Sequence, residues 1–237
     1  MTGAEDFQEG KLLLIDKPLD WTSFDVVNFI RSFLKKIYGI RKLKVGHAGT
    51  LDPLATGLLV VCTGKKTKEI DRYQGMDKIY TGSMVLGATT PSYDLETEVD
   101  ARYNTSHIDE ALLRNIAREF IGEIEQVPPA YSAVKIQGER AFKLARKNKE
   151  IKLKSRKVNI SRFELLSIGD LNVDFLVACS KGTYIRSLVH DFGQRIHSGA
   201  YLSSLRRTGI GHYRVEDAQS LEDFKAKILS AISGDEK

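Results

Sequence analysis

The sequence has few cysteines, no long apolar run and no signal peptide, and each of these absences excludes a class of protein. Its 237 residues include two cysteines, Cys62 and Cys179, which lie far apart, and no Cys-x-x-Cys pair. A disulfide-stapled secreted fold is therefore not expected. No apolar stretch approaches the ~20 residues of a transmembrane helix, and the acidic residues 1–10 lack the apolar core of a signal peptide. These absences predict a protein of the cytoplasm without membrane contact.

Patterns for metal or nucleotide binding are also missing. The five histidines show no ligand spacing and the two cysteines do not join them, so neither a metal nor a cofactor is expected. Residues 63–67 resemble a phosphate loop in composition. Their glycine spacing is wrong for the nucleotide-binding motif, however, and no Ser or Thr directly follows Lys65.

Composition and periodicity predict a folded α+β protein. Apolar residues make up 42% of the chain, which is enough for a sizeable core, and the net charge of +5 with a pI near 9.0 suits an anionic partner. Strands and helices alternate without a regular βαβ repeat, which indicates an α+β fold. Strands are predicted over 11–16, 57–63, 78–86, 156–167 and 171–180, and later helices over 184–196 and 221–232.

Two further helices are predicted from their capping residues. Thr22 and Asp25 form a capping-box pattern before an amphipathic run, and Gly39 stands where a C-cap belongs. Ser106 and Asp109 are expected to cap a second amphipathic helix that ends at Gly122.

The most informative stretch is residues 44–59, Lys-Val-Gly-His-Ala-Gly-Thr-Leu-Asp-Pro-Leu-Ala-Thr-Gly-Leu-Leu. Glycines allow positive φ and close approach of a partner, and Pro53 keeps Asp52 out of a helix. The loop could present Asp52 and His47 as reactive groups. An ordinary polar turn fits the same residues, since Asp-Pro also initiates turns.

These residues resemble the signature of the TruB family of pseudouridine synthases. The family's other motifs occur in the family's order over residues 11–215. One, Lys17-Pro18, precedes residues 44–59, and the others lie at Lys78-x-Tyr80, at 126–135, at 179–188 and at 205–207. The resemblance implies a mixed, largely antiparallel sheet flanked by helices with a central catalytic cleft. It also implies an isomerase, a tRNA pseudouridine synthase that acts without a cofactor on uridine 55 of the T-loop.

The resemblance assigns roles residue by residue. Asp52 would be the nucleophile, Tyr80 would stack on the flipped base and help to remove its C5 proton, and Arg186 would pair with Asp52. His47 would take part in RNA binding and base flipping. The uridine pocket would be lined by Tyr184 and Leu205. Taken alone, each of these could be an ordinary core, turn or surface residue.

A basic segment covers residues 135–157, with ten basic and two acidic residues and a net charge of +8. A solvated surface is the ordinary interpretation, but the scarcity of acids favours an anion-binding face. In the family this region is an insertion that grips folded RNA. The residues expected to contact the RNA backbone are Lys135, Arg146, Lys147, Lys149, Lys152 and Lys154.

The resemblance also implies a domain organisation. Residues 1–10 would be a flexible N-terminus, 11–232 a single catalytic domain with the RNA-gripping insertion at about 128–157, and 233–237 a tail. A C-terminal PUA-like RNA-binding domain, frequent in the family, is not expected, and its absence argues against dependence on a guide RNA. A monomer that binds the T-arm and T-loop of tRNA is expected.

The chain departs from the family pattern at two positions. Asp20 stands where glycine is usual, and Phe142 stands where tyrosine is frequent. The turn at Asp20 is expected to differ.

Two alternatives remain open at this stage. The chain could be a non-catalytic tRNA-binding or tRNA-folding protein that uses the same residues without turnover. It could also be a pseudouridine synthase that acts on another RNA. Whether Asp52 attacks C1′ or removes the 2′ proton to give a glycal is likewise open.

Overall fold

A computed structural model describes residues 3–132, 134–136, 138–147 and 153–234. The helices are α1 (Ala4–Glu9), α2 (Ser23–Tyr38), α3 (Ile70–Gln74), α4 (Glu110–Glu119), α5 (Ala141–Ala145), α6 (Ile185–Arg195) and α7 (Leu221–Gly234). The strands are β1 (Leu12–Lys17), β2 (Val45–His47), β3 (Ala55–Thr63), β4 (Lys78–Leu86), β5 (Ala88–Thr89), β6 (Ala101–Arg102), β7 (Gly122–Gln126), β8 (Lys135–Ile136), β9 (Glu139–Arg140), β10 (Arg156–Ile168), β11 (Asn172–Cys179), β12 (Ala200–Ile210) and β13 (Tyr213–Arg214). Short 3-10 helices cover Gly64–Glu69 and Val215–Asp217.

The described residues divide into two compact units. The first contains the chain up to Lys78 and again from Arg206, and the second is Ile79–Leu205. In the first unit the strand order is β1-β3-β12, with β2 also paired to β3 and β13 to β12. In the second unit the order is β12-β4-β11-β10-β7.

The strand β3 organises the core of the first unit. Its residues alternate between two apolar clusters because successive side chains of a strand point to opposite faces. Leu59 and Val61 pack with α2 and α7 residues, whereas Leu58, Val60 and Cys62 pack in the second cluster. The predicted buried central strand is confirmed, since β3 is almost fully buried along its length.

Helix α2 begins and ends as its sequence predicts. The Thr22 hydroxyl accepts a hydrogen bond from the Asp25 backbone N–H at 3.0 Å, and the Asp25 carboxylate accepts one from the Thr22 N–H at 2.9 Å. This reciprocal pair is a capping box, which satisfies two donors at the helix start. Gly39 has a φ of +65° at the C-cap, a left-handed conformation that glycine adopts without strain.

The second unit is built on an antiparallel pair. β10 and β11 pair from Ile160↔Cys179 to Ile168↔Val173, with register shifts at two points. One face of β11 is buried through Val173, Phe175, Val177 and Cys179, as the alternation predicts. Phe163 lies at the centre of the aromatic core, with ring centroids 5.7–6.2 Å from those of its aromatic neighbours.

The structure confirms the expected fold class and corrects the extent of one helix. The predicted α+β class with a largely antiparallel sheet is confirmed. The predicted extent of the second helix is wrong: α4 starts after Asp109, whose carboxylate accepts from the Leu112 N–H at 2.7 Å, and it stops at Glu119. Within the described ranges no helix is long and apolar enough to cross a membrane.

Candidate active site

Asp52 lies in the loop that joins β2 to β3 in the first unit. The loop is anchored at both ends, because the Ala48 N–H donates to the Val60 carbonyl at 2.9 Å and the Ala55 N–H donates to the Asp52 carbonyl at 3.1 Å. At Gly57 φ is +100°, and a Cβ there would lie 2.3 Å from the Arg207 carbonyl oxygen. Only glycine therefore lets β12 approach β3 this closely, next to the Asp52 loop.

A buried lysine holds one side of this loop. The Lys17 side chain is fully buried at the end of β1, and its ammonium donates to the carbonyls of Pro18 at 2.8 Å, Trp21 at 2.5 Å and Pro53 at 3.3 Å. Burial lowers the pKa of Lys17 to about 8, and the nearby Asp52 carboxylate opposes this shift. The ammonium thus supplies a fixed positive charge and fixes the residue that follows Asp52.

The other side of the loop is held by Ser23 and Arg207, which are both 1% exposed. The Ser23 hydroxyl accepts from the Leu51 N–H at 2.8 Å and donates to the Leu51 carbonyl at 3.1 Å. The Arg207 guanidinium donates to the carbonyls of Gly49 at 3.1 Å and Leu58 at 2.8 Å. Residues on both sides of Asp52 are therefore held by buried side chains, so its position is set before any substrate arrives.

Asp20, where the family usually has glycine, lies in a turn that contacts the Asp52 loop. Asp20 has a φ of +63°, which is the left-handed conformation that glycine favours and that aspartate tolerates better than most residues. Its N–H donates to the Pro53 carbonyl at 3.0 Å. The turn at Asp20 therefore also supports the Asp52 loop.

His47 ends β2 and is half-buried. Burial lowers its pKa below the ordinary value, and the positive charge of Arg207 acts in the same direction. The lowered pKa favours the neutral form of the ring. Its Nδ1 is buried, and a hydrogen bond with the Gly49 backbone partly offsets the lowering of the pKa.

In the second unit, Arg186 lies in the first turn of α6 and is 3% exposed. Its guanidinium donates to the carbonyls of Ser92 at 3.2 Å and Tyr131 at 2.9 Å, and its Nε lies 3.5 Å from a carboxylate oxygen of Asp94. The Arg186–Asp94 ion pair is buried on both sides. The predicted pairing of Arg186 with Asp52 stays a prediction.

The loop that carries Asp94 is itself hydrogen-bonded. The Asp94 carboxylate accepts from the Glu96 N–H at 2.9 Å, and its carbonyl accepts from the hydroxyls of Thr90 at 2.7 Å and Ser92 at 3.2 Å. The sequence alone gave Asp94 no role. One signal could have identified it, because a buried guanidinium needs a carboxylate as its partner.

Tyr80 and Leu205 lie on neighbouring strands of the second unit. Tyr80 is 8% exposed on β4, on the face it shares with Met84 and Leu86. Leu205 is half-buried on β12, and its Cδ1 approaches the position that a Cβ on Gly82 would take. Both therefore have the apolar setting expected for a pocket wall, which an ordinary core would share.

Tyr184 precedes α6 and is fixed by a buried glutamine. The Gln126 side-chain amide accepts from the Tyr184 N–H at 2.8 Å and donates to the Tyr184 carbonyl at 3.0 Å. The Arg156 guanidinium lies over the Tyr184 ring, 4.5 Å from its centroid, and also bonds the Gly182 carbonyl. Gln126 and Arg156 were not singled out from the sequence, because their partners are 58 and 26–28 positions away.

The structure describes part of the predicted RNA-contacting set. Arg146 pairs with Glu96 at 2.8 Å, and Lys147 pairs with Glu139 at 3.3 Å, whereas Lys154 is exposed. Lys149 and Lys152, and the side chain of Lys135, lie outside the described residues. Within the described ranges, no group of three or more His, Cys, Asp or Glu side chains could hold a metal.

Comparisons with known proteins match most of the chain. The family model described as TruB family pseudouridylate synthase (N terminal domain) matches residues 35–185, and a model of the tRNA pseudouridylate synthase B C-terminal domain matches 186–237. Proteins named tRNA pseudouridine synthase B from Flavobacterium johnsoniae and Phocaeicola vulgatus are each 51% identical to the chain. The first match covers 94% of this chain and 98% of the relative, and the second 92% and 93%.

Solved structures agree with these relatives. The chain matches one described as "Crystal Structure of a Cbf5-Nop10-Gar1 Complex" at 32% identity and a TM-score of 0.71, over 95% of this chain. Another, "Structure of H/ACA RNP bound to a substrate RNA containing 2'-deoxyuridine", matches at 29% identity and a TM-score of 0.66, over 93% of this chain. The chain spans about half the length of these solved chains, 56% and 53%. On the family model and the relatives at 51% identity, the chain belongs to the TruB family of pseudouridine synthases.

Proposed function

We propose that this chain is a tRNA pseudouridine synthase that converts the uridine at position 55 of the T-loop to pseudouridine. The relatives at about 50% identity are named tRNA pseudouridine synthase B, and the matches cover nearly their full length. Conversion breaks the N1–C1′ bond and forms a C5–C1′ bond. The proton that C5 loses is balanced by the proton that N1 gains. The reaction is therefore an isomerisation that consumes no second reactant.

The observation that carries this proposal is the rigid presentation of Asp52. Lys17, Ser23 and Arg207 fix the backbone on both sides of it through buried hydrogen bonds. An ionised carboxylate held at one place can act on the sugar without a cofactor, and fixing it in advance lowers the entropic part of the barrier. Asp52 either attacks C1′ or removes the 2′ proton, and both routes need the carboxylate at the sugar.

The remaining site residues receive the roles that the family motif gives them. The target must leave its stack before the sugar can be reached. Tyr80 would hold the extruded base, since base–aromatic stacking contributes roughly 1–3 kcal/mol, while Tyr184 and Leu205 would line the pocket. His47 would contact the RNA through its neutral ring, and Arg186 would hold the Asp52 carboxylate by planar, charge-assisted bonds.

RNA binding would also use the basic segment, residues 135–157. Lys154 is exposed, and Arg146 and Lys147 would exchange their carboxylate partners for phosphates on binding. We assign the protein to the cytoplasm, where the buried Cys62 and Cys179 would persist as thiols. A monomer that acts on the T-arm without a guide RNA completes the proposal, with 11–232 as its catalytic domain.

The test is pseudouridine mapping in total RNA from cells with and without this gene, followed by the purified protein on unmodified tRNA. We expect loss of pseudouridine at position 55 alone and its restoration by the protein. Restored binding without modification would instead support a non-catalytic tRNA-binding protein. Loss at sites in other RNAs with position 55 intact would support a synthase with a different substrate.

A further inference from the structure

Tyr93 lies between two residues that contact Arg186, in a conformation that tyrosine rarely adopts. Its φ is +65°, in the left-handed region where a bulky side chain is an outlier. The Ser92 carbonyl accepts from the Arg186 guanidinium at 3.2 Å, and the Asp94 carboxylate lies 3.5 Å from its Nε. The left-handed residue turns the chain between these two contacts, so both can face one guanidinium. We call residues 90–97 the Asp94 loop.

The Tyr93 ring stacks on His190 of α6. The two ring centroids are 3.8 Å apart, and the ring planes differ by 14°. His190 follows Arg186 by four residues, so the two side chains lie one above the other on the same face of the helix. The Asp94 loop therefore makes two neighbouring contacts with α6, one through the Tyr93 ring and one through the Asp94 carboxylate.

The backbone of Tyr93 connects the Asp94 loop to β12 within the second unit. Its N–H donates to the Thr90 carbonyl at 3.1 Å, and its carbonyl accepts from the Leu202 N–H at 2.9 Å. Leu202 precedes Leu205, the predicted pocket residue, by three positions on the same strand. Tyr93 thus joins the helix that carries Arg186 to the strand that carries Leu205. Glycine or asparagine would adopt this backbone with less strain, but neither would supply the stacked ring.

Both rings of the stack are favoured in their uncharged forms. Burial raises the pKa of Tyr93, and the carboxylates of Asp191 and Asp100 act in the same direction. Burial lowers the pKa of His190, an effect that Asp100 opposes. Uncharged rings can be buried against each other without the cost of removing a charge from water.

We propose that Tyr93 and His190 form a positioning pair for Arg186. The stack fixes the Asp94 loop against α6, and the loop in turn fixes the Asp94 carboxylate and the Ser92 carbonyl against the guanidinium. A buried ion pair stabilises only when its geometry is good. A shift of the loop would therefore displace the guanidinium from the position that the reaction needs. This inference rests on the proposed function, which gives Arg186 its role.

The test compares variants of Tyr93 and His190 under single turnover with saturating tRNA. Tyr93→Asn tolerates the left-handed backbone and removes the ring, so its rate should fall by roughly 10- to 100-fold through misplacement of Arg186. Its tRNA affinity should stay within about threefold of the wild type, because phosphate contacts elsewhere supply most of it. Tyr93→Phe retains the stack and should keep the rate within about threefold.

His190→Gln removes the other ring and should slow the reaction as Tyr93→Asn does. The double variant should be no slower than the slower single variant, since two members of one stack do not act independently. The matched control is Tyr103→Asn, which removes a ring of the same size from the second unit. The Tyr103 ring lies against Gly199, beyond the end of α6, and this variant should keep the wild-type rate.

Four results would overturn the proposal. They are a wild-type rate in Tyr93→Asn, equal losses in Tyr93→Asn and Tyr93→Phe, equal losses in Tyr93→Asn and the Tyr103→Asn control, and losses that multiply in the double variant. Equal losses in the two Tyr93 variants would assign the effect to the hydroxyl instead of the stack.

Thermal unfolding separates this proposal from the proposed function. If the stack holds the Asp94 loop, the loss of Tm in Tyr93→Asn/Asp94→Asn should fall short of the sum of the single losses by roughly 2 °C or more. Additive losses would overturn the proposal even in an active protein. A wild type that makes no pseudouridine would count against the proposed function, and the unfolding measurements would still decide whether Tyr93 holds Asp94.

Discussion

Replacing Asp94 by asparagine removes a negative charge beside the buried Arg186 guanidinium and changes almost no volume. The Asp94 and Arg186 side chains are 7% and 4% exposed, with 3.5 Å between carboxylate oxygen and Nε. At that distance two unit charges interact by about 5 kcal/mol at an effective dielectric constant of ~20. Removing one partner of a buried pair typically costs about 3–5 kcal/mol. We therefore expect Asp94→Asn to lower the free energy of unfolding by about that amount.

The same loop offers a matched control. Glu96 pairs with Arg146 at 2.8 Å, and the two side chains are 35% and 63% exposed. An exposed pair contributes about 0–1 kcal/mol, so Glu96→Gln should have little effect. In thermal unfolding, Asp94→Asn should lower Tm by roughly 6–20 °C, and Glu96→Gln by at most about 4 °C.

Single-turnover rates, measured below both transitions, separate positioning from stability. Asp94→Asn should slow pseudouridine formation because Arg186 loses a partner that holds it, whereas Glu96→Gln should keep the wild-type rate. An Asp94→Asn protein with wild-type Tm and rate would refute the reasoning. So would equal losses of Tm in the two variants.

Two further predictions concern the groups around Asp52 and the base. The single-turnover rate should fall as pH rises through about 8, because Lys17, with a pKa of about 8, then loses the charge that faces Asp52. Between pH 8 and the ordinary lysine pKa near 10.5, the unfolded chain holds a proton that the folded chain has lost. The contribution of Lys17 to the free energy of unfolding should therefore rise over this pH range. A single-turnover rate that stays flat to about pH 9.5 would count against the role of Lys17. Tyr80→Phe should keep tRNA affinity but lose most of the rate, whereas Tyr80→Leu should also weaken capture of the flipped base. Equal, mild losses in both Tyr80 variants, measured by affinity and single turnover, would indicate an ordinary core tyrosine.

Local patterns predicted much of the fold. The Thr22–Asp25 capping box, the Gly39 C-cap and the alternation along β11 are each determined by residues a few positions apart, and all are confirmed. The error at α4 has the same local origin. Ser106 and Asp109 are both good capping residues, and only the bond from the Leu112 N–H to Asp109 decides between them.

The contacts that hold the candidate site could not be predicted in this way. Lys17 supports Pro53 across 36 positions, and Arg207 supports Gly49 across 158. Periodicity carries no information about such separations, so the motifs that contain Lys17 and Arg207 did not show that these side chains fix the Asp52 loop.

The most direct test of the account is pseudouridine formation by Asp52→Asn, which removes the charge and keeps the shape of the side chain. The rate under single turnover with saturating tRNA should fall to the level without enzyme, while tRNA affinity stays within about threefold of the wild type because phosphate contacts elsewhere supply most of it. Unchanged thermal unfolding would show that the loop still folds. A rate within tenfold of the wild type would contradict the assignment of Asp52 as the reacting carboxylate.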